Sequence, residues 1–453
     1  VRKIAVIGAG YVGLVTAACL ADFGNEVICP DSDEERIESL KRLKMPFYEP
    51  GLLEIVRRNC AEKRLRFTDC IEEAIVRSEV IFIAVGTPAT STGDADLTGV
   101  KAVAREIARH MKSYKLIVQK STVPVGTGAM VRGIVKRFLK GNAPFDVASN
   151  PEFLREGSAV ENFMRPDRVV IGTWTKKAEA ILSDIYDPLY LIETPMVKTT
   201  VETAELIKYA SNAFLASKVS FINEMARLCE VFGADVQVVA KGMGLDRRIG
   251  PKFLHAGPGI GGSCLPKDTA ALVRFAEKAG CTLRIPRAVM EINRSQREFV
   301  VDKIEHATAG LKGKTIGALG LSFKPETDDV RESPAIHVTK KMLSRGAKVK
   351  AFDPAAMQAA RKLLPAVQYC ANAYEVCDGS DALVIFTEWN EFRKLDLVRI
   401  KRLLKKPVMI DCRNIYEPDE VKALGFKYHS IGRSTQRLPG ARSSGTPAKR
   451  GAR

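Results

Sequence analysis

The sequence has no run approaching the ~18 consecutive apolar residues of a membrane-spanning helix, so no membrane association is expected. Its ten cysteines include no CxxC pair. That argues against a zinc site and a disulfide scaffold, suits a reducing cytosol, and leaves no metal expected. Acidic residues are scarce: 53 against 70 lysines and arginines, a net charge of +17. Such an excess invites a nucleic-acid reading. However, no aromatic-rich or arginine-rich binding stretch stands out before residue 434, and no nucleic-acid partner is expected. Part of the excess sits in 434–453, which carries Arg437, Arg442, Lys449, Arg450 and Arg453 without an acid. Rich in Gly, Pro and Ser, this stretch reads as a disordered basic tail. The remaining charge is spread over helical patterns such as Arg57-Arg58 and Arg361-Lys362, and would favour polyanionic small molecules, nucleotides included. The chain opens directly on a strand pattern, Lys3–Ile7, so no secretory signal is expected ahead of the fold and a cytoplasmic protein is.

A length of 453 residues suggests two or three domains. Chemistry concentrates in Gly257-Pro-Gly-Ile-Gly-Gly-Ser-Cys264-Leu-Pro-Lys-Asp268. Four glycines permit close backbone approach or positive φ, and Pro266 suits a first helical turn. Cys264 is thus expected at a helix N-terminus, where the helix dipole and Lys267 would favour thiolate and lower its pKa below the free value of about 8.5. Asp268, four residues on, would face the same side. The alternative is a structural thiol in a glycine-rich turn.

Upstream, strand Ile4–Ile7 runs into Gly8-Ala-Gly10-Tyr11-Val12-Gly13, then a helix over Leu14–Phe23, a strand over Glu26–Cys29, and Asp31. In that context GxGxxG predicts a dinucleotide fold with pyrophosphate on the helix N-terminus. Asp31 would accept from a ribose 2′-hydroxyl and repel a 2′-phosphate, favouring NAD; Asp33 is a rival. Pro30 fits only a strand end. Strands over 80–85, 116–120 and 146–149 run into polar loops carrying Gly86, Thr87, Ser121, Thr122, Glu152 and Glu156, which should gather at the cofactor.

From Glu202 to Phe232 neither Gly nor Pro occurs, predicting one long helix, mostly buried around Lys208, with Lys208 and Asn212 sharing a face. Beyond it, strands over 314–320, 348–352, 383–386 and 408–410 describe a second unit without a full fingerprint, suited to a nucleotide held by Lys324, Arg331 or Arg413. The expected fold is α/β: two Rossmann-like, doubly wound domains joined by a long central helix. The expected divisions are 1–198, 199–307 (helical, with the Cys264 loop), 308–433, and the 434–453 tail.

Taken together, Gly8–Gly13, Ser121-Thr-Val-Pro-Val-Gly-Thr127, Asn150-Pro-Glu-Phe-Leu-Arg-Glu-Gly157, Lys208-Tyr-Ala-Ser-Asn212, Arg248-Ile-Gly, Gly261-Gly-Ser-Cys-Leu-Pro-Lys-Asp268 and Phe323-Lys-Pro to Arg331-Glu-Ser make the chain resemble the UDP-glucose 6-dehydrogenase family of nucleotide-sugar dehydrogenases, over about residues 1–432. The resemblance implies NAD-dependent, four-electron oxidation of UDP-glucose to UDP-glucuronate through a cysteine thiohemiacetal and thioester. It implies Cys264 as nucleophile, Asp268 and Thr122 holding a water, Lys208 and Asn212 stabilising oxyanions, and Glu156, supported by Glu152, as base for thioester hydrolysis. The cofactor seat would comprise Gly8, Gly10, Tyr11, Val12, Gly13, Asp31, Arg36, Gly86, Thr87, Ser121, Thr122, Glu156, Lys267 and Arg331. The sugar nucleotide would meet Glu152, Phe153, Leu154, Arg155, Lys208, Asn212, Phe253, Gly261, Phe323, Lys324 and Arg413. Arg248 would reach into the neighbouring subunit of a homodimer. Departures are Pro30, where the family usually has an aliphatic residue, and the basic tail. Alternatives are a UDP-N-acetylmannosamine or GDP-mannose dehydrogenase, a nucleic-acid-binding protein with a vestigial dinucleotide fold, and a non-catalytic sugar-nucleotide sensor. Ser263 before the cysteine resembles the UDP-glucose branch, since the acetamido-sugar branch tends to carry His there.

Overall fold

Apolar runs of four or five residues, closed by glycine, proline or polar turns, are too short for helices and pair as strands instead. In the computed structural model, which describes residues 1–90 and 92–433, they build two sheets. The first comprises β1 (Lys3–Ile7), β2 (Glu26–Pro30), β3 (Leu65–Thr68), β4 (Val80–Ile83), β5 (Lys115–Gln119), β6 (Phe145–Ser149), β7 (Val169–Thr173) and β8 (Met196–Thr199), in the order β3-β2-β1-β4-β5-β6-β7-β8. All neighbours are parallel except β6 and β7. The second comprises β9 (Thr315–Leu319), β10 (Lys348–Phe352), β11 (Gln368–Tyr369), β12 (Ala382–Ile385), β13 (Val408–Asp411) and β14 (Lys427–Ser430), all parallel, in the order β11-β10-β9-β12-β13-β14. Both sheets carry the doubly wound 3-2-1-4-5-6 order, the fold class expected. Strand β1 shows why its run is unbroken by polar residues: Ile4 and Val6 enter one core, Ala5 and Ile7 another. Pro30 is the last residue of β2, where only its carbonyl is used, accepting from the Gly8 N–H at 2.8 Å.

A helix spanning Val201–Phe232 lies between the sheets. The Thr200 hydroxyl caps its start and Gly233, at φ +72°, ends it. At 32 residues it runs for about 48 Å. One side is buried, including Lys208, Tyr209, Asn212, Ala213 and Ala216. The expectation of a mostly buried helix is corrected on the other: Leu206, Phe214, Phe221, Leu228 and Phe232 are between 44% and 67% exposed. Helices Leu265–Lys278 and Arg284–Thr308 pack against the buried side, leaving an apolar stripe outside. Among the described residues, no helix is long and apolar enough to cross a membrane. The expected basic tail lies outside the described residues.

Candidate active site

The loops at the carboxyl ends of β5, β6 and β9 meet the long helix or the loop before helix Leu265–Lys278, and chemistry collects there. Cys264 is the N-cap residue of that helix and Pro266 lies in its first turn, as its spacing predicts. The glycines ahead of it serve close approach. A Cβ on Gly262, at φ +83°, would lie 2.7 Å from the Phe323 ring, and one on Gly261 would lie 2.8 Å from the Glu332 carbonyl oxygen. Larger residues would push this loop off the second unit.

Two turns of the long helix present Lys208 and Asn212. The Lys208 ammonium donates to Glu152 Oε1 at 2.9 Å, a pair in which neither side chain is more than 5% exposed. Burial alone would raise the Glu152 pKa, but Lys208 and the Leu154 N–H, at 2.6 Å from Oε2, hold it below the ordinary value. Burial likewise opposes the Lys208 charge, yet Glu152 keeps its pKa raised. Both are therefore ionised at neutral pH. Asn212 Nδ2 donates to Asp268 Oδ2 at 2.6 Å, and Lys267 Nζ donates to Asp268 Oδ1 at 2.7 Å.

That last contact corrects the expectation for Cys264. Lys267 neutralises Asp268, which is 1% exposed, rather than acting chiefly on the sulfur. Burial, followed by the Glu152 carboxylate, pushes the Cys264 thiol up, against the pull of Lys208 and the Ser263 hydroxyl. The resting group is a thiol. Lys208 is the cation acting to lower its pKa when it loses its proton.

Glu156 joins the two sheets' loops. Ser263 Oγ and Arg331 Nη2 donate to its Oε1 at 3.1 and 3.3 Å, and Thr327 Oγ1 donates to Oε2 at 3.4 Å. Burial first, then the Asp329 carboxylate, raises its pKa to about 7 although Arg331 pulls the other way. A carboxyl group poised there can exchange a proton near neutrality. Ser263 Oγ also lies 3.5 Å from Cys264 Sγ, so the Glu156 carboxyl and the thiol both lie against one hydroxyl.

The fingerprint loop fits a dinucleotide. Gly8 is at φ +106°, a Cβ on Gly13 would lie 1.8 Å from the Gly8 carbonyl oxygen, and Gly10 has open space beside it. Gly10 caps helix Tyr11–Asp22 without a side chain, leaving the first-turn N–H groups, Val12 and Gly13 among them, available to an anion. Asp31 Oδ2 accepts from the Ala9 N–H at 2.6 Å and from Arg36 at 3.1 Å, while Asp33 caps the next helix. Thr87 Oγ1 donates to the Thr122 carbonyl at 2.8 Å, and Ser121 Oγ to the Val85 carbonyl at 2.7 Å, bundling the loops after β4 and β5 beside Gly86.

The residues expected around the sugar nucleotide divide. The Phe153 ring stacks under Arg168, 3.5 Å from its centroid, with Lys208 at 5.4 Å. Arg155 is held by Asn162. Lys324 is a mostly buried cation whose pKa burial lowers, near Glu156. Arg413 donates to the Phe386 and Phe323 carbonyls at 2.8 and 2.9 Å and pairs with Glu388. Phe253 adopts φ +65°. Arg331 pairs with Asp329 as well as Glu156. Arg248 is not brought to this cluster: its side chain is 89% exposed and pairs with Asp246 in its own loop. Not anticipated were Glu205, which accepts from the Gly126 and Gly128 N–H groups at 2.7 Å each, and Glu49, which accepts from Tyr11, Gly157 and Ala159. Both are buried carboxylates ordering loops, and no local motif marks either.

Fold and site together define a dinucleotide-dependent dehydrogenase with a thiol at its centre and a second nucleotide-binding unit. The chain belongs to the UDP-glucose/GDP-mannose dehydrogenase family: that family's NAD binding domain matches residues 2–190, its central domain 202–295 and its UDP binding domain 317–418. It is 51% identical over 437 residues to the UDP-glucose 6-dehydrogenase TuaD of Bacillus subtilis (strain 168), covering 96% of this chain and 94% of that one. Among solved structures it resembles a UDP-glucose dehydrogenase from Pyrobaculum islandicum, at 39% identity and TM-score 0.89, covering 96% of this chain and 98% of that one. A UDP-D-ManNAc dehydrogenase from Pyrococcus horikoshii is more distant, at 27% identity and TM-score 0.84 over 95% of this chain and 99% of that one.

Proposed function

We propose that this chain is a UDP-glucose 6-dehydrogenase, oxidising the sugar C6 alcohol to UDP-glucuronate with two NAD per turnover. One observation carries the reading: a thiol, a buried ammonium, an amide and a carboxyl of pKa about 7 converge beside a dinucleotide fingerprint. Oxidising a primary alcohol to a carboxylate consumes one water and releases two hydrides. Gly8–Gly13 and Asp31 would hold NAD, which would supply the hydride acceptor. The chain supplies the rest. Cys264 adds to the C6 aldehyde, giving a thiohemiacetal that can release a second hydride where a free aldehyde donates poorly. Lys208 and Asn212 would stabilise the tetrahedral oxyanion. Glu156 takes the proton of the water that cleaves the thioester, with Thr122 and Asp268 holding that water and Glu152 keeping Lys208 oriented. Phe153, Leu154, Arg155, Gly261, Phe253, Phe323, Lys324 and Arg413 would frame the sugar nucleotide.

Glucose is favoured over acetamido sugars because the relatives named for UDP-glucose are 39–51% identical against 27% for the UDP-D-ManNAc enzyme. Incubating the protein with a panel of nucleotide sugars and NAD tests this. Two NADH per UDP-glucose is the expected result, and faster turnover of UDP-N-acetylmannosamine or GDP-mannose would transfer the assignment. On this reading residues 1–198 hold NAD, 199–307 carry the long helix and Cys264 loop, and 308–433 hold the UDP moiety in a cytoplasmic enzyme.

A homodimer is part of the proposal, motivated by the exposed apolar stripe on the long helix and by the outward-facing Arg248. Mixing Arg248→Ala with Cys264→Ala subunits, each inactive alone, should restore one intact site per hybrid. No recovery after demonstrated exchange would remove Arg248 from the partner's site.

Two further results are expected. Because Glu156 must be ionised to act as base and its pKa is raised to about 7, kcat should climb as pH rises through 7. Glu156→Gln should lower kcat by roughly 10²–10⁴-fold and abolish that limb. Wild type should prefer NAD, and Asp31→Ser should shift the NADP-to-NAD ratio of kcat/KM upward by at least about tenfold. Like-charge juxtaposition costs several kcal/mol, and the substitution frees Arg36 for a 2′-phosphate.

A further inference from the structure

Lys120 is buried at 4% exposure and makes no ion pair within 4 Å of a described carboxylate. It stands between β5 and Ser121-Thr122. Its ammonium donates to Asn150 Oδ1 at 2.9 Å and to the Tyr186 hydroxyl at 3.2 Å, and lies 5.7 Å from the centroids of both the Phe163 and Tyr186 rings. Asn150 stands in turn between β6 and Pro151-Glu152. Its N–H donates to the Gln119 carbonyl at 2.9 Å and its Nδ2 to the Val170 carbonyl at 2.8 Å. One amine therefore ties the root of the loop bearing Thr122 to the root of the loop bearing Glu152 and Glu156. Around it is a cavity of about 60 Å³ that Glu152 also lines. Burial pushes the Lys120 pKa down to about 7, an effect Glu152 opposes and Lys208 reinforces. A buried amine without an anion costs stability that a methionine at this position would not.

We propose that Lys120 is a positioning residue, its amine bridge to Asn150 and Tyr186 fixing the water held at Thr122 relative to the base Glu156 for thioester hydrolysis. The proposal rests on the reaction given above. Lys120→Met keeps the chain length of the stem and leaves Asn150 Oδ1 satisfied by the Tyr186 hydroxyl at 2.5 Å. Its Tm should equal or exceed that of wild type. Misplacement of reacting groups by about 1 Å costs on the order of 10²-fold, so kcat should fall about tenfold or more while kcat/KM for UDP-glucose stays within about threefold, because hydrolysis follows the first release of NADH. The loss should fall on hydrolysis: a rapid burst of two NADH per site, then slow turnover, with intact mass showing the uridine-diphospho-glucuronyl group on the protein.

A wild-type kcat in Lys120→Met, or a lowered kcat without burst and adduct, overturns the proposal. If Lys120→Met does not fold, Tyr186→Phe removes one hydroxyl of the same bridge. It should lower kcat several-fold at unchanged Tm, with the same burst, and wild-type kcat there overturns the proposal equally. Cys264→Ser is run in parallel with Lys120 intact. Absence of any adduct there sinks the covalent reaction and this proposal together, whereas an adduct beside a fully active Lys120→Met sinks this proposal alone.

Discussion

Cys264→Ala is expected to yield almost no UDP-glucuronate, and Cys264→Ser to stall with the sugar nucleotide covalently attached. A serine can form a hemiacetal that still gives up a hydride, but the product is an ester, which hydrolyses less readily than a thioester with the same base. Intact mass after incubation with UDP-glucose and NAD should show Cys264→Ser protein plus one uridine-diphospho-glucuronyl group, and no adduct on Cys264→Ala. Removal of a nucleophile commonly costs about 10⁶ in kcat, beyond the roughly 10²–10⁴ usual for an acid–base group. Cys264→Ala still making acid at near wild-type rate, with two NADH per sugar, would end the covalent mechanism. Cys264 would then be a structural thiol in a glycine turn.

Lys208→Met should damage both activity and stability, and pH separates the two. On the proposed mechanism the developing oxyanion loses a cation, so kcat should fall by about 10²–10³-fold. The same change strands Glu152, which is 5% exposed. Breaking a buried pair from one side costs about 3–5 kcal/mol. In wild type the Glu152 pKa is lowered, so its contribution to stability is present above the unfolded carboxyl pKa and fades as pH falls through the folded one. Without Lys208, burial dominates and the pKa rises. The charge then destabilises the fold as pH climbs through the new value. The Tm deficit of Lys208→Met should therefore be larger at pH 8 than at pH 5.5. Adding Glu152→Gln should recover Tm at pH 8 but not kcat. A single variant retaining kcat within tenfold of wild type would remove Lys208 from the oxyanion role.

Much of this was legible along the chain because its signals are local. The fingerprint needs glycine where φ is positive at Gly8 and where Gly13 meets the Gly8 carbonyl, both within six residues. Cys264 with Pro266 marks a helix start, and Lys208 with Asn212 a shared helix face, from spacing alone. Short or partly exposed strands such as β8 and β14 carry no continuous apolar run and leave no such signal. Neither do Glu49 and Glu205, whose backbone partners lie over a hundred and about eighty residues away respectively.

The amino-acid sequence by itself determined the two doubly wound units, the long helix and the residue types of the site, because helix and strand periods, glycine requirements and helix starts are set by neighbours in the chain. Tertiary structure decided their ionisation and their company. It turned Lys267 onto Asp268, left the Cys264 thiol protonated, brought Glu156 near pH 7 beside Asp329, exposed one flank of the long helix and left Arg248 outside the cluster. Desolvation and Coulomb interaction depend on distance and burial in space, which spacing along a chain does not encode.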